Sequence, residues 1–181
     1  MPARLLPAVI VVLSITTIVL TTLGWFTLRP LGPESDVSWN SFGSGDFAIA
    51  EAPDAHGWLI VLACVAAIVV ALCSWLPSLA PYRRTSLVVI GVGALAASII
   101  PITVIANPDW YLDDLFTALG EPDRQTGLPA SEFIGMPVVA STLALLLLLA
   151  VTAFAAAVLA PAIAPDQPAP VRTEDPSGAV L

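Results

Sequence analysis

Long apolar runs separated by short polar stretches set the plan of this chain. Four such runs, at about residues 5–28, 58–79, 86–106 and 136–160, carry almost no charged side chain. Each holds about 20 or more residues, enough for a helix to cross roughly 30 Å of hydrocarbon. The pattern predicts an all-α membrane protein, a four-transmembrane-helix bundle. Its outer segments are 29–57 and 107–135, and 161–181 forms a polar, proline-rich cytoplasmic tail expected to be disordered. The second and third runs are joined by Pro81-Tyr82-Arg83-Arg84, which reads as the inner turn of a helical hairpin.

Within the outer segments the pattern changes. Val37 to Phe42 and Asp46 to Ala50 flank Gly43-Ser44-Gly45, a glycine-bearing loop between apolar strips that predicts a small β-hairpin. An isolated hairpin is marginal in water. It must rest on the second outer segment, on lipid or on a partner, with Trp39 and Phe47 as the expected contact residues. In the second outer segment Leu112, Leu115, Phe116 and Leu119 follow the i, i+3, i+4, i+7 rule. A short amphipathic helix is expected there, capped by Asn107, opened by Pro108 and closed by Gly120. It would lie on the outer membrane surface or over the mouth of the bundle.

The distribution of arginine sets the orientation. All six basic residues are arginine, a bias expected of a high-GC bacterial gene. With both termini in the cytoplasm of a multi-pass protein of the cell membrane, Arg4, Arg83, Arg84 and Arg172 lie inside and only Arg29 and Arg124 outside. The apolar run that begins at Leu5 is longer than a signal-peptide core of about 7–15 residues, so an uncleaved anchor is expected. Trp25, Trp58, Trp75, Tyr82, Trp110 and Tyr111 stand near run ends and are assigned to the interfacial belts.

Composition agrees with the pattern. Hydrophobic residues make up 57% and charged residues 11% of the 181 positions, and mean hydropathy is +0.91. Soluble domains carry about 25% charge. A formal net charge of −8 argues against nucleic acid as a partner.

Candidate chemistry is sparse. The threonines at 16, 17, 21, 22 and 27 are expected to bond back to carbonyls of their own helix. Cys64 and Cys73 are nine positions apart, on opposite helix faces, and cannot pair with each other. Gly93-x-x-x-Ala97, Ala94-x-x-x-Ser98 and the small residues of 152–157 predict close helix packing. Pro101 is expected to kink the third span. Asp54 and His56 are ligand types that suit zinc, but two residues do not make a site. Asp109, Asp113 and Asp114 read as a solvated acidic face. No catalytic residue, no cofactor and no metal is assigned, and the protein is not expected to be an enzyme.

Acidic, histidine and basic side chains are missing from the middle of every run, as few proton relays or ion-coupled carriers would allow. The sequence points to an accessory or structural subunit whose acidic outer segments contact another membrane or exported protein, or a second copy of itself. The alternative is a homo-oligomeric permease or channel for a small solute.

Overall fold

The computed structural model describes residues 2–32, 37–45, 52–120 and 127–160. The tail and the second strip of the expected hairpin, with Phe47, lie outside these residues. The described chain is mostly helical. Its five α-helices are α1 (Pro2–Thr21), α2 (Gly57–Cys73), α3 (Arg83–Ala106), α4 (Pro108–Ala118) and α5 (Met136–Leu159). Two short strands, β1 (Phe26–Thr27) and β2 (Ser38–Trp39), form an antiparallel ribbon.

Four helices pack side by side in a closed ring, α1 against α2, α2 against α3, α3 against α5 and α5 against α1. Leu6 and Pro7 of α1 share one end of the bundle with Ala71 of α2, Arg83 of α3 and Ala156 of α5. Successive ring helices therefore run in opposite directions. Small residues set the spacing between them. Gly91, Ala94, Ala97 and Ser98 are buried on α3, as are Ala150, Ala153, Ala156 and Ala157 on α5. A Cβ added at Gly91 would lie 2.7 Å from the Phe154 ring, so α5 packs directly on that glycine. Gly93 faces open space instead, which removes it from the expected packing stripe while Ala97 stays in it.

Outward faces are apolar on every ring helix. Val12, Ile15 and Val19 on α1, Leu62 and Val69 on α2, Val89, Val92 and Ile99 on α3, and Leu148, Val151 and Val158 on α5 are all exposed. By length and composition two helices, α3 and α5, can cross a membrane, and only 39% of each one's most apolar window is buried inside the protein. The apolar parts of α1 (Leu5–Thr21) and α2 are shorter.

Both of the shorter helices end before the apolar run does. The first run was expected to stay helical to residue 28, but α1 stops at Thr21. Its last carbonyl accepts from the Ser41 backbone N–H at 3.2 Å and from Ser41 Oγ at 2.8 Å. The backbone N–H of Trp25 donates to Trp39 at 2.8 Å instead of continuing the helix. The second run was expected to reach residue 79, but α2 stops at Cys73, where the Ser74 hydroxyl turns back to Ala71 at 2.6 Å. Pro77 has no N–H and biases Leu76 away from the helical region, so a 3-10 turn over Pro77–Tyr82 follows. Pro101 lies inside α3 without ending it.

The outer segments fold into a cap on the ring. Trp25, Phe26, Trp39, Leu112, Leu115, Phe116, Phe133 and Ile134 form its core, continuous with Ile60, Cys64, Val104 and Leu146 of the bundle. Trp25 is fully buried, with its indole N–H donating to Leu20 at 3.0 Å, and is not a belt residue. Trp39 is likewise buried and shares one core with Leu112, Leu115 and Phe133, so of the three expected supports for its strip the fold uses the second outer segment. Trp58, Trp75, Tyr82 and Trp110 are exposed, while Tyr111 is half-buried.

The strip holding Trp39 pairs with Phe26–Thr27, while Trp39 also bridges Gly45 across the expected glycine turn. Gly43 takes a φ of 72°, and Asn40 Oδ1 accepts from the backbone N–H of Phe42 and of Ser44 to hold that turn. Phe26 pairs on its other side with Ile134. The ribbon thus joins the two outer segments, a connection that no local pattern in either one specifies.

Candidate functional site

The amphipathic helix forms as α4, with Leu112, Leu115 and Phe116 buried and Gly120 at a φ of 78° just beyond its end. Two details differ from expectation. The Asn107 side chain makes no capping bond. Its backbone N–H donates to Thr103 at 2.8 Å, tying the start of α4 to the last turn of α3. Leu119 is 45% exposed, because it follows the last helical residue and no longer shares the stripe's direction. The buried stripe turns Asp109, Trp110, Asp113 and Asp114 outward.

On the facing wall, the chain enters α2 through a sharp bend. His56 is in the left-handed region at φ 56° and ψ 37°. A non-glycine residue holds that conformation only when its surroundings fix it. Two hydrogen bonds do so. The His56 backbone N–H donates to Asp54 Oδ1 at 2.6 Å, and the Gly57 N–H donates to Ser41 at 3.0 Å. A Cβ on Gly57 would collide with the Ser41 side chain, so glycine is needed where the two segments meet.

Between these walls lies a cavity of about 440 Å³, floored by Ile100 of α3 and Leu59 of α2. Asp54, His56, Trp110, Tyr111 and Asp114 line it, with Ala52, Pro53 and Ala55 completing the wall. Tyr111 is fixed from both sides. Its hydroxyl lies 2.8 Å from Thr103 Oγ1, and its ring stands 6.3 Å from Phe26 and 6.0 Å from Trp110. Trp110 is 76% exposed and forms the free edge of the mouth.

Asp54 and His56 thus stand together as their spacing suggests, with Nδ1 3.7 Å from Oδ1 and both side chains facing solvent. Among the described residues no three His, Cys, Asp or Glu side chains are arranged to hold a metal ion. Asp114 joins Asp54 and His56 at the cavity, while Asp109 and Asp113 lie away from it. Reading along the sequence treated the two walls as separate solvated surfaces. The only local sign of the site is Trp110, Tyr111 and Asp114 at i, i+1 and i+4, which shows one wall and not the other.

No protein-family model, curated protein or solved structure matches this chain.

Proposed function

We propose that the protein is a four-span subunit of the cell membrane, with both termini in the cytoplasm, whose cap docks another membrane or exported protein. The observation that carries this reading is the division of labour between ring and cap. Ring helices present apolar side chains outward and carry no acidic, basic or histidine residue along their middles. The cap keeps a packed aromatic core and turns an acidic, aromatic-bearing face to solvent through Asp109, Trp110, Asp113 and Asp114.

Large apolar outer faces on all four ring helices are costly in water and natural in lipid. In a bilayer α1 and α2 lengthen their apolar reach through the flanking Leu23, Leu76 and Leu79, all exposed. Arg83 and Arg84 stand at the end of the ring shared by the start of α1 and the end of α5, which the positive-inside rule puts in the cytoplasm. An exposed tryptophan ringed by charge is a usual energetic anchor of a protein interface, and a basic partner surface would complement it.

Within one chain, the permease reading finds little support. Ile10, Ile60, Cys64, Leu146, Leu149 and Ala153 fill the space between the ring helices.

Affinity purification from native membranes in mild detergent, with mass spectrometry and native mass on one eluate, tests the proposal. A reproducible stoichiometric partner that is lost on Trp110→Ala supports it. An isolated monomer without a specific cross-linked neighbour refutes it, and a homo-oligomer without companions moves liposome flux to the front.

A further inference from the structure

The cavity of about 440 Å³ under Trp110 is within the range of ligand pockets, roughly 300–1,000 Å³. Its chemistry is one-sided. Asp54 and Asp114 bring two carboxylates from opposite walls, and among the described residues no arginine lines it and His56 is the one basic group there. Among the described residues the carboxylates do not converge with a third ligand on one ion-sized point. A compact metal ion is therefore poorly served. The aromatic wall offers a different complement, since Trp110 and Tyr111 stand 6.0 Å apart with their planes inclined at 42°. A ring face attracts a cation that cannot be tightly hydrated, and the floor of Leu59 and Ile100 excludes water from its carbon atoms.

We propose that this cavity binds an alkylammonium cation, its nitrogen between the carboxylates and the Trp110 face and its carbon chain on Leu59 and Ile100. The site is preorganised. Tyr111 is held through Thr103, and the His56 bend is fixed by Asp54 Oδ1 and the Ser41–Gly57 contact. The group has two natural sources, a free amine in the outer medium or the amine headgroup of a membrane lipid. This inference does not rest on the partner-docking role, because it concerns a small ligand and uses purified protein.

Titration calorimetry on the full chain in dodecyl maltoside, with butylammonium against its neutral counterpart 1-butanol, tests the proposal. Saturable binding of butylammonium and none of butanol is expected. Asp114→Asn, Asp54→Asn and Trp110→Ala should each weaken it roughly threefold to tenfold. All three positions are exposed, and Asp54→Asn keeps an oxygen to accept the His56 N–H, so the variants should keep the parent's melting temperature.

Doping the micelles with phosphatidylethanolamine or phosphatidylglycerol separates the sources. Competition by the first alone assigns the lipid headgroup, and competition by neither assigns a free amine. Equal heats from butylammonium and butanol, or folded variants that bind butylammonium like the parent chain, overturn the proposal.

Discussion

Gly135 is where the cap is stitched to the ring, and changing it to alanine tests whether cap and ring are one cooperative unit. Its N–H donates to Trp25 at 2.7 Å, at the start of α5. A Cβ there would lie well inside van der Waals contact with the Gly24 carbonyl oxygen, 3.3 Å from the Gly24 carbonyl carbon and 3.4 Å from the Trp25 oxygen. All three are backbone atoms, so no rotamer change relieves the crowding. The backbone itself does not demand glycine, because φ is −70°. Overpacking costs about 1–3 kcal/mol and the weakened hydrogen bond about 1 kcal/mol, giving about 2–4 kcal/mol in all.

At about 2–4 °C per kcal/mol for a chain of this size, Gly135→Ala should melt about 4–16 °C below the parent. Tryptophan fluorescence reads the transition well, since Trp25 and Trp39 sit in the cap core. Gly93→Ala is the control. It meets nothing within 4 Å and should be neutral or gain up to about 1 kcal/mol of helix propensity. Gly91→Ala should fall between, because the half-buried Phe154 ring can swing aside where a backbone carbonyl cannot. A Gly135→Ala protein that melts with the parent, or a Gly93→Ala protein as damaged as Gly135→Ala, would falsify the stitching argument.

Phe133 is fully buried and stands edge-on to Phe116 at 4.9 Å in a core shared with the ring, so Phe133→Ala should cost about 3–5 kcal/mol and lower the melt read by fluorescence and by helical circular dichroism together. Ser41→Ala removes one of two donors to the Thr21 carbonyl and should cost only about 1 kcal/mol by the same melt, because the backbone N–H still donates. For orientation, Thr85→Cys and Asp113→Cys, both exposed, are placed singly on a Cys64→Ala, Cys73→Ala background. An impermeant maleimide should label position 113 in intact cells and position 85 only after the membrane is opened; the opposite pattern reverses the proposed orientation.

Helix existence was readable because it depends on composition over about 20 residues, and the third and fourth runs show this well. Expected at 86–106 and 136–160, they appear as Arg83–Ala106 and Met136–Leu159. The threonine reading held for four of the five for the same reason, being local, and failed at Thr27, which lies in β1 beyond the end of α1 and whose Oγ1 accepts from the Arg29 N–H at 3.1 Å. Thr16, Thr17, Thr21 and Thr22 each donate to a carbonyl three or four residues earlier, at 2.6–2.9 Å. Helix ends were less readable where a distant residue decides them. Nothing near Thr21 says that Ser41 will take its carbonyl, so an apolar count runs on through Trp25 and Phe26.

That mistake about one boundary explains the larger one about the outer segments. With Trp25 and Phe26 counted as membrane-embedded, the strip around Trp39 has no strand partner in the sequence, and its support stays open among the second outer segment, lipid and a partner. Once α1 ends at Thr21, Phe26–Thr27 becomes the missing strand and Trp25 the centre of a core that needs no outside support. Trp39 therefore makes its contacts inside that core, while Trp110 is left exposed. The cavity follows from the same folding. It exists because the cap draws the Asp54–His56 bend and α4 to opposite sides of Ile100. Two patterns that look like ordinary solvated acid in the sequence become one acidic, aromatic-walled pocket only when the cap closes.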